Sequence, residues 1–294
     1  MRARPSTLGG MLALGAALAF GGTTPLVQRF GRGVGPFTTA ALLYVGSAIF
    51  AAVPMGAPDA PRLGRRDVPV LLAVTVLGAV IAPMALAWGL QHTSGVTASL
   101  LFNLEALFTV LLARLIWREA IGGRVTAALL AILAGGALLV LGGKAASIEA
   151  GWGALAVVAA TLAWAGDSVL SRALSRRSTA QVVGAKSVLG ASISIVFARA
   201  ISEPWPDAVA VVLLLACGIV GYGASLRLYL HAQRAFGAAR TGTVFAAAPF
   251  IGAAVAWAMG ERAGGLATIT GTALCALGVV VQLTETIEES RVDE

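Results

Sequence analysis

The 294-residue chain is 58% hydrophobic and only 12% charged, whereas soluble globular domains have about a quarter of their residues charged. This composition excludes an ordinary soluble domain. A net charge of +7 would suit nucleic acid in a soluble protein. Here the basic residues lie mainly in short loops beside apolar segments, which favours contact with membrane lipids and not with nucleic acid.

Ten apolar segments follow one another along the chain, each close to the roughly 20 residues that cross a bilayer core. We number them spans one to ten, and they cover about Leu8–Val27, Pro36–Met55, Val68–Leu90, Val96–Trp117, Val125–Gly142, Gly151–Leu170, Val182–Ile201, Ala208–Leu230, Thr241–Met259 and Ala267–Thr284. The loops between them are short and leave no room for a separate soluble domain. The expected fold is therefore an all-α integral membrane protein with ten transmembrane helices.

The two halves of the sequence resemble each other. Gln91-His92-Thr93-Ser94-Gly95 begins a segment that returns without a gap 142 residues later, where it begins Gln233-Arg234-Ala235-Phe236-Gly237. Two copies with five spans each must insert in opposite orientations, an arrangement typical of secondary transporters. We expect two inverted five-helix repeats, 1–144 and 150–286, related by a pseudo-two-fold axis in the membrane plane and followed by an acidic tail, 287–294.

The basic residues predict the topology. With the N-terminus in the cytoplasm, thirteen of them lie in cytoplasmic segments, and five lie in external loops: Arg29, Arg32, Lys144, Arg199 and Arg262. This bias follows the positive-inside rule. Both termini are therefore expected in the cytoplasm.

A few ionisable residues fall inside the spans, where a charge is costly unless it faces a partner or a cavity. Asp167, Lys186 and Arg227 all lie toward the cytoplasmic ends of their spans, so we expect an intramembrane charge cluster in which Asp167 neutralises Lys186 or Arg227. Glu105 lies near the middle of span four without an obvious partner at its depth. It either makes a helix-packing contact, meets the amino group of a substrate, or carries a coupled proton.

Polar and aromatic side chains recur at helical spacing on several spans. Such faces should point toward water or a ligand, because lipid offers polar groups no partner. We predict a central cavity surrounded by spans one, three, four, six, eight and nine. The predicted substrate-binding residues are Thr23, Thr24, Glu105, Trp164, Ser168, Tyr222 and Ser225.

The strings Leu104-Glu105-Ala106-Leu107-Phe108 with Arg118-Glu119, and Ala248-Pro249-Phe250 with Gly260-Glu261, resemble the EamA type of the drug/metabolite transporter superfamily. The resemblance covers nearly the whole chain. It implies two inverted five-helix repeats in a bacterial inner membrane, and export of small metabolites such as amino acids. Ala106 departs from the proline that the family often has there. Glu119 and Glu261 are interpreted as structural acids that complement the dipole of the next helix.

Two other classes of function compete. An intramembrane enzyme would need a catalytic constellation. The two histidines, His92 and His231, lie near span ends, and Ser168 and Ser225 have no histidine at matching depth. A lipid flippase is the other alternative. The segment Gly143-Lys144-Ala145 does not match a phosphate-binding loop. Transport is therefore expected to be secondary and not driven by ATP. No catalytic residue, metal ligand or cofactor is predicted, the expected partners are a small-molecule substrate and protons, and monomer and homodimer both remain open.

Overall fold

The computed structural model describes residues 5–53, 61–117, 122–141, 148–174, 177–236, 238–261 and 265–292. Within these ranges the regular structure is entirely helical. The α-helices are α1 Pro5–Phe30, α2 Pro36–Ala51, α3 Val68–Thr75, α4 Ala82–His92, α5 Gly95–Leu101, α6 Leu104–Trp117, α7 Gly123–Leu141, α8 Ile148–Ser171, α9 Thr179–Ala200, α10 Ala208–Cys217, α11 Ser225–Phe236, α12 Ala238–Phe245, α13 Ala248–Ala258 and α14 Leu266–Val292.

These helices form the ten predicted spans of a multi-pass membrane protein. Seven continuous helical stretches in the described residues are long and apolar enough to cross a membrane, and three shorter apolar helices, Pro36–Ala51, Ala248–Ala258 and Leu266–Val281, complete the set. Spans three, four, eight and nine each consist of two α-helices in line. Asp293 and Glu294 of the expected acidic tail lie outside the described residues, as does Glu119.

Spans three and eight are interrupted at equivalent places. A π-helical segment covers Val76–Ile81 between α3 and α4, and another covers Gly218–Ala224 between α10 and α11. In the first, the amide of Ala82 donates to the carbonyl of Leu77. In the second, the amide of Ser225 donates to the carbonyl of Val220. Both bonds reach five residues back, and the offset between them matches the sequence repeat within one residue. The widened turns therefore belong to the repeated unit, and π-bulges are frequent at functional sites.

The packing between the halves is also paired. α1 of the first half packs against α11 of the second, and α8 of the second half packs against α4 of the first. Exchange of the halves converts one contact into the other, as expected for two repeats of one fold. α2 and α9, which are counterparts in the two copies, pack against each other at the centre, where the hydroxyl oxygens of Ser47 and Ser187 are 2.9 Å apart.

α7 and α14 form a separate close pair through small residues. A Cβ atom added to Gly135 would lie 2.7 Å from the carbonyl oxygen of Gly271 and 2.7 Å from Cys275 Sγ. Close approach of this kind is how membrane helices gain packing energy without a hydrophobic driving force. Small residues of spans five and ten therefore pack against each other within the chain.

Candidate functional site

A cavity of about 530 Å³ lies between the two halves. Its wall comes from α1, α2, α6, α8, α9, α11, α12, α13 and α14 and from residues at the interruptions of spans four, eight and nine. The predicted ring of spans was wrong in part: spans two, seven and ten also contribute, and span three supplies no lining residue. The volume falls within the usual range for small-molecule sites.

The cavity lies to one side of mid-depth. Its wall residues on α8 and α11 follow the middle of their spans, those on α6 lie at the middle or just after it, and those on α9 and α12 precede it. Alternate spans run in opposite directions, so all these residues lie toward the face where α1 begins. Ser168 is exposed there and Glu105 is partly exposed. The cavity therefore extends from mid-membrane toward the N-terminal face.

Aromatic rings surround Phe20 at the inner end of the cavity. The ring centroid of Phe20 lies 5.7 Å from Phe102, 6.0 Å from Trp164, 6.1 Å from Tyr222 and 5.9 Å from Phe245. Separations of 4.5–7 Å are typical of aromatic pairs that attract each other beyond their buried area. We call these five residues the aromatic cluster, and it gives the cavity a rigid apolar end.

The carbonyl of Gly78, in span three, explains the position of two cavity residues. The amide of Ala82 is already bonded to Leu77, and the next amide in the π pattern would belong to Pro83, which has no N–H. The carbonyl of Gly78 therefore needs a side-chain donor. Tyr44 Oη donates to it at 2.5 Å, and Trp164 Nε1 donates at 3.1 Å.

Asp167 and Lys186 form an ion pair in the cavity wall. Lys186 Nζ donates to Asp167 Oδ2, both side chains are 11% exposed, and Ser171 Oγ donates to Asp167 Oδ1 at 3.2 Å. Gly78 packs directly against the pair: a Cβ atom there would collide with the Asp167 carboxylate. The absence of a side chain at Gly78 is what allows the ion pair to approach span three.

The expected three-residue charge cluster is wrong in its third member. Arg227 is 3% exposed, and its guanidinium donates to the carbonyls of Val53 at 2.7 Å and Ala51 at 2.5 Å, with its Cζ atom 5.4 Å from the ring centre of Phe50. These carbonyls lie at the C-terminal end of α2, where a helix leaves its last carbonyls without partners of its own. Arg227 therefore caps α2 and does not share Asp167 with Lys186.

Of the seven predicted substrate-binding residues, Glu105, Trp164, Ser168, Tyr222 and Ser225 line the cavity. Thr23 and Thr24 do not: both are buried, and both hydroxyls face the carbonyl of Phe20, at 2.8 Å and 3.5 Å. Threonine in a helix often bonds back to the preceding turn in this way.

Sequence reasoning missed several wall residues, including Tyr44 and Asn103. Tyr44 is the repeat counterpart of Lys186, and this correspondence was the signal that could have placed both side chains at the same depth. Asn103 lies at the break between α5 and α6, where its Nδ2 atom donates to the carbonyl of Leu100 at 2.7 Å. The break also places Glu105 in the first turn of α6, at the positive end of that helix.

On the face opposite the cavity, hydrogen bonds join different spans. We call these three contacts the latch: Gln28 Nε2 to the carbonyl of Thr93 at 2.9 Å, Gln91 Nε2 to the carbonyl of Val34 at 2.9 Å, and the amide of Gly95 to Glu261 Oε2 at 2.6 Å. The last contact corrects the interpretation of Glu261. Its carboxylate accepts from the first turn of α5, in the other half of the chain. The latch closes this face between spans one, three, four and nine.

Comparisons with known proteins agree with this architecture. A model of the family described as EamA-like transporter family matches residues 7–141 and again residues 151–284. An uncharacterized transporter of Methanothermobacter thermautotrophicus is 32% identical over 207 residues, which are 67% of this chain and 59% of the relative. The match to this chain thus spans about 59% of that relative's length. A solved crystal structure shares the fold, with a TM-score of 0.66 and 22% identity over 99% of this chain and 100% of its own.

Proposed function

The chain belongs to the EamA-like transporter family, and from that premise we propose that it is a secondary transporter that exports small amphipathic metabolites, amino acids or related compounds, by alternating access. Its setting is the bacterial inner membrane, with both termini in the cytoplasm, and the halves 1–144 and 150–286 move relative to each other around the cavity. The distribution of basic residues supports this orientation.

One observation supports this proposal above the others. The cavity lies between the two repeats, extends toward one face, and is separated from the other face by the latch. A site at the interface of two repeats, open to one side at a time, is the arrangement that alternating access requires. In the proposed orientation this conformation is open to the cytoplasm, the side from which an exporter takes its substrate.

Glu105 is the proposed functional acid. It lines the cavity, and its closest side-chain partner among the described contacts is Ser168 Oγ, at 3.5 Å. A carboxyl group at membrane depth with such a weak partner is costly unless a ligand or a proton satisfies it. Glu105 therefore either meets the amino group of the substrate or carries the coupled proton.

Flux measurements test the proposal. A screen of metabolites with purified protein in liposomes, without nucleotide, should find solutes that cross faster than in protein-free liposomes. Glu105→Gln keeps the size and hydrogen-bonding capacity of the side chain but removes its titration, so the flux should fall and lose its dependence on pH.

The two parts of the proposal can fail separately. If no solute crosses faster than in protein-free liposomes, the proposal that the protein is a transporter is wrong. If the variant, with an unchanged elution profile, transports at the wild-type rate with the same pH profile, Glu105 is a packing residue.

A further inference from the structure

Three charged side chains line the cavity among the described residues: Glu105, Asp167 and Lys186. Lys186 and Asp167 are paired with each other, and Ser171 supplies a further donor to Asp167. The positive charge in the wall is thus already neutralised. Two carboxyl groups against one ammonium leave Glu105 as the charge without an ionic partner in the described wall.

Four polar side chains of the wall donate hydrogen bonds to backbone carbonyls of the protein. Tyr44 and Trp164 both donate to the carbonyl of Gly78. Ser225 Oγ donates to the carbonyl of Ala16 at 2.8 Å, and Asn103 Nδ2 donates to the carbonyl of Leu100 at 2.7 Å. A ligand carboxylate entering this cavity would meet two carboxylates, Glu105 and Asp167, and one ammonium, on Lys186, whose charge Asp167 already neutralises. An anion without a counter-charge of its own is strongly disfavoured at this depth.

Acceptor capacity is available at Glu105. The carboxylate has about four acceptor positions, and the hydroxyl of Ser168 approaches only one oxygen, at 3.5 Å. This distance is at the outer limit for a hydrogen bond. An ammonium group, which has donors only, would satisfy Glu105 without disturbing any other contact in the wall.

The aromatic cluster begins next to Glu105. Phe102 precedes Glu105 by three residues at the break in span four, and Trp164 precedes Ser168, the partner of Glu105, by one helical turn. The faces of aromatic rings attract cations and also pack against apolar groups. A ligand with an ammonium at Glu105 would therefore place its apolar body among the rings.

We infer that the cavity selects cationic amines with an apolar or aromatic body and no carboxylate, over the amino acids of the same skeleton. This inference rests on the proposed transport function and narrows its substrate class. The unpaired Glu105, the occupied Lys186 and the neighbouring rings together favour a single positive charge and disfavour a zwitterion or an anion.

Three probes with the same phenyl ring and two-carbon chain test the inference: phenethylamine, phenylalanine and 3-phenylpropionate. Binding is measured by calorimetry on the purified full-length protein. Phenethylamine should bind at least about tenfold more tightly than either of the others, because only the others bring a carboxylate that the wall leaves poorly paired. Glu105→Gln should weaken phenethylamine binding about tenfold or more, and should leave binding of the neutral analogue 2-phenylethanol unchanged.

Glu149→Gln is the matched control, since it makes the same chemical change at an exposed acid outside the cavity wall, and phenethylamine binding should then equal that of the wild type. Phenylalanine binding as tightly as phenethylamine, equal binding by all three probes, or binding by none would overturn the inference. Flux of the same probes separates the two proposals. If phenylalanine is transported while phenethylamine is neither bound nor transported, the transport proposal is supported and the selectivity is overturned. If phenethylamine is bound but not transported, the selectivity is supported and the transport proposal is contradicted.

Discussion

Replacement of Asp167 by asparagine should destabilise the protein strongly. The change keeps the shape of the side chain but removes the charge that neutralises Lys186, and both side chains are 11% exposed. Ser171 loses a charged acceptor in the same step. Removing one partner of a buried ion pair typically costs about 3–5 kcal/mol, because the other charge remains buried and uncompensated. We expect a loss of free energy of unfolding of about that size.

A double variant separates this effect from a general loss of packing. Lys186→Met removes the charge and keeps an apolar side chain of similar length, so Asp167→Asn with Lys186→Met should recover much of the lost stability. Replacing a whole buried pair is often close to neutral. The measurement is the denaturant-induced unfolding of each purified variant in the same detergent. Wild-type stability in the single variant, or no gain in the double variant, would refute the reasoning.

Two further variants test the contacts that close and hold the bundle. Glu261→Ala removes a charge-assisted hydrogen bond of 2.6 Å, which is worth about 1.5–3 kcal/mol. A cysteine placed at buried Ser99, in a background without the native cysteines, should then be labelled faster from the latch side. An unchanged labelling rate would show that the latch does not control access. Gly135→Ala would place a methyl group 2.7 Å from the carbonyl oxygen of Gly271 and should cost about 1–3 kcal/mol. Its control, Gly151→Ala, adds the same methyl group in open space and should be neutral or stabilising; equal unfolding midpoints for the two variants would contradict the packing argument.

The arrangement of the spans depends on properties that the sequence contains locally. A run of apolar residues long enough to cross a bilayer is helical wherever it lies, because lipid offers no partner for its backbone groups. The repeat at an offset of 142 residues then requires each copy to have the same number of spans. The π segments, at Val76–Ile81 and Gly218–Ala224, were not predicted from the sequence.

The depth of each candidate residue could also be counted along its span. Glu105, Asp167, Lys186 and Arg227 were assigned depths in this way, and the assignment made both Lys186 and Arg227 possible partners of Asp167. The structure decided between them, since Arg227 bonds the last carbonyls of α2 instead. Counting residues gives position along a helix axis at 1.5 Å per residue, but it does not say which neighbour each face meets.

The direction in which a side chain points is set by how the helices pack. Each residue turns about 100° around its helix, since a turn contains 3.6 residues, so a small rotation of a span exchanges a cavity-facing residue for a buried one. The hydroxyls of Thr23 and Thr24 face a carbonyl of their own helix, and the hydroxyl of Tyr44 donates to the carbonyl of Gly78. The sequence alone therefore determined the membrane class, the ten spans, the duplication and the depth of the charges. Only the tertiary structure decided which of those residues meet, because rotation and crossing of the spans depend on contacts between residues far apart in the chain.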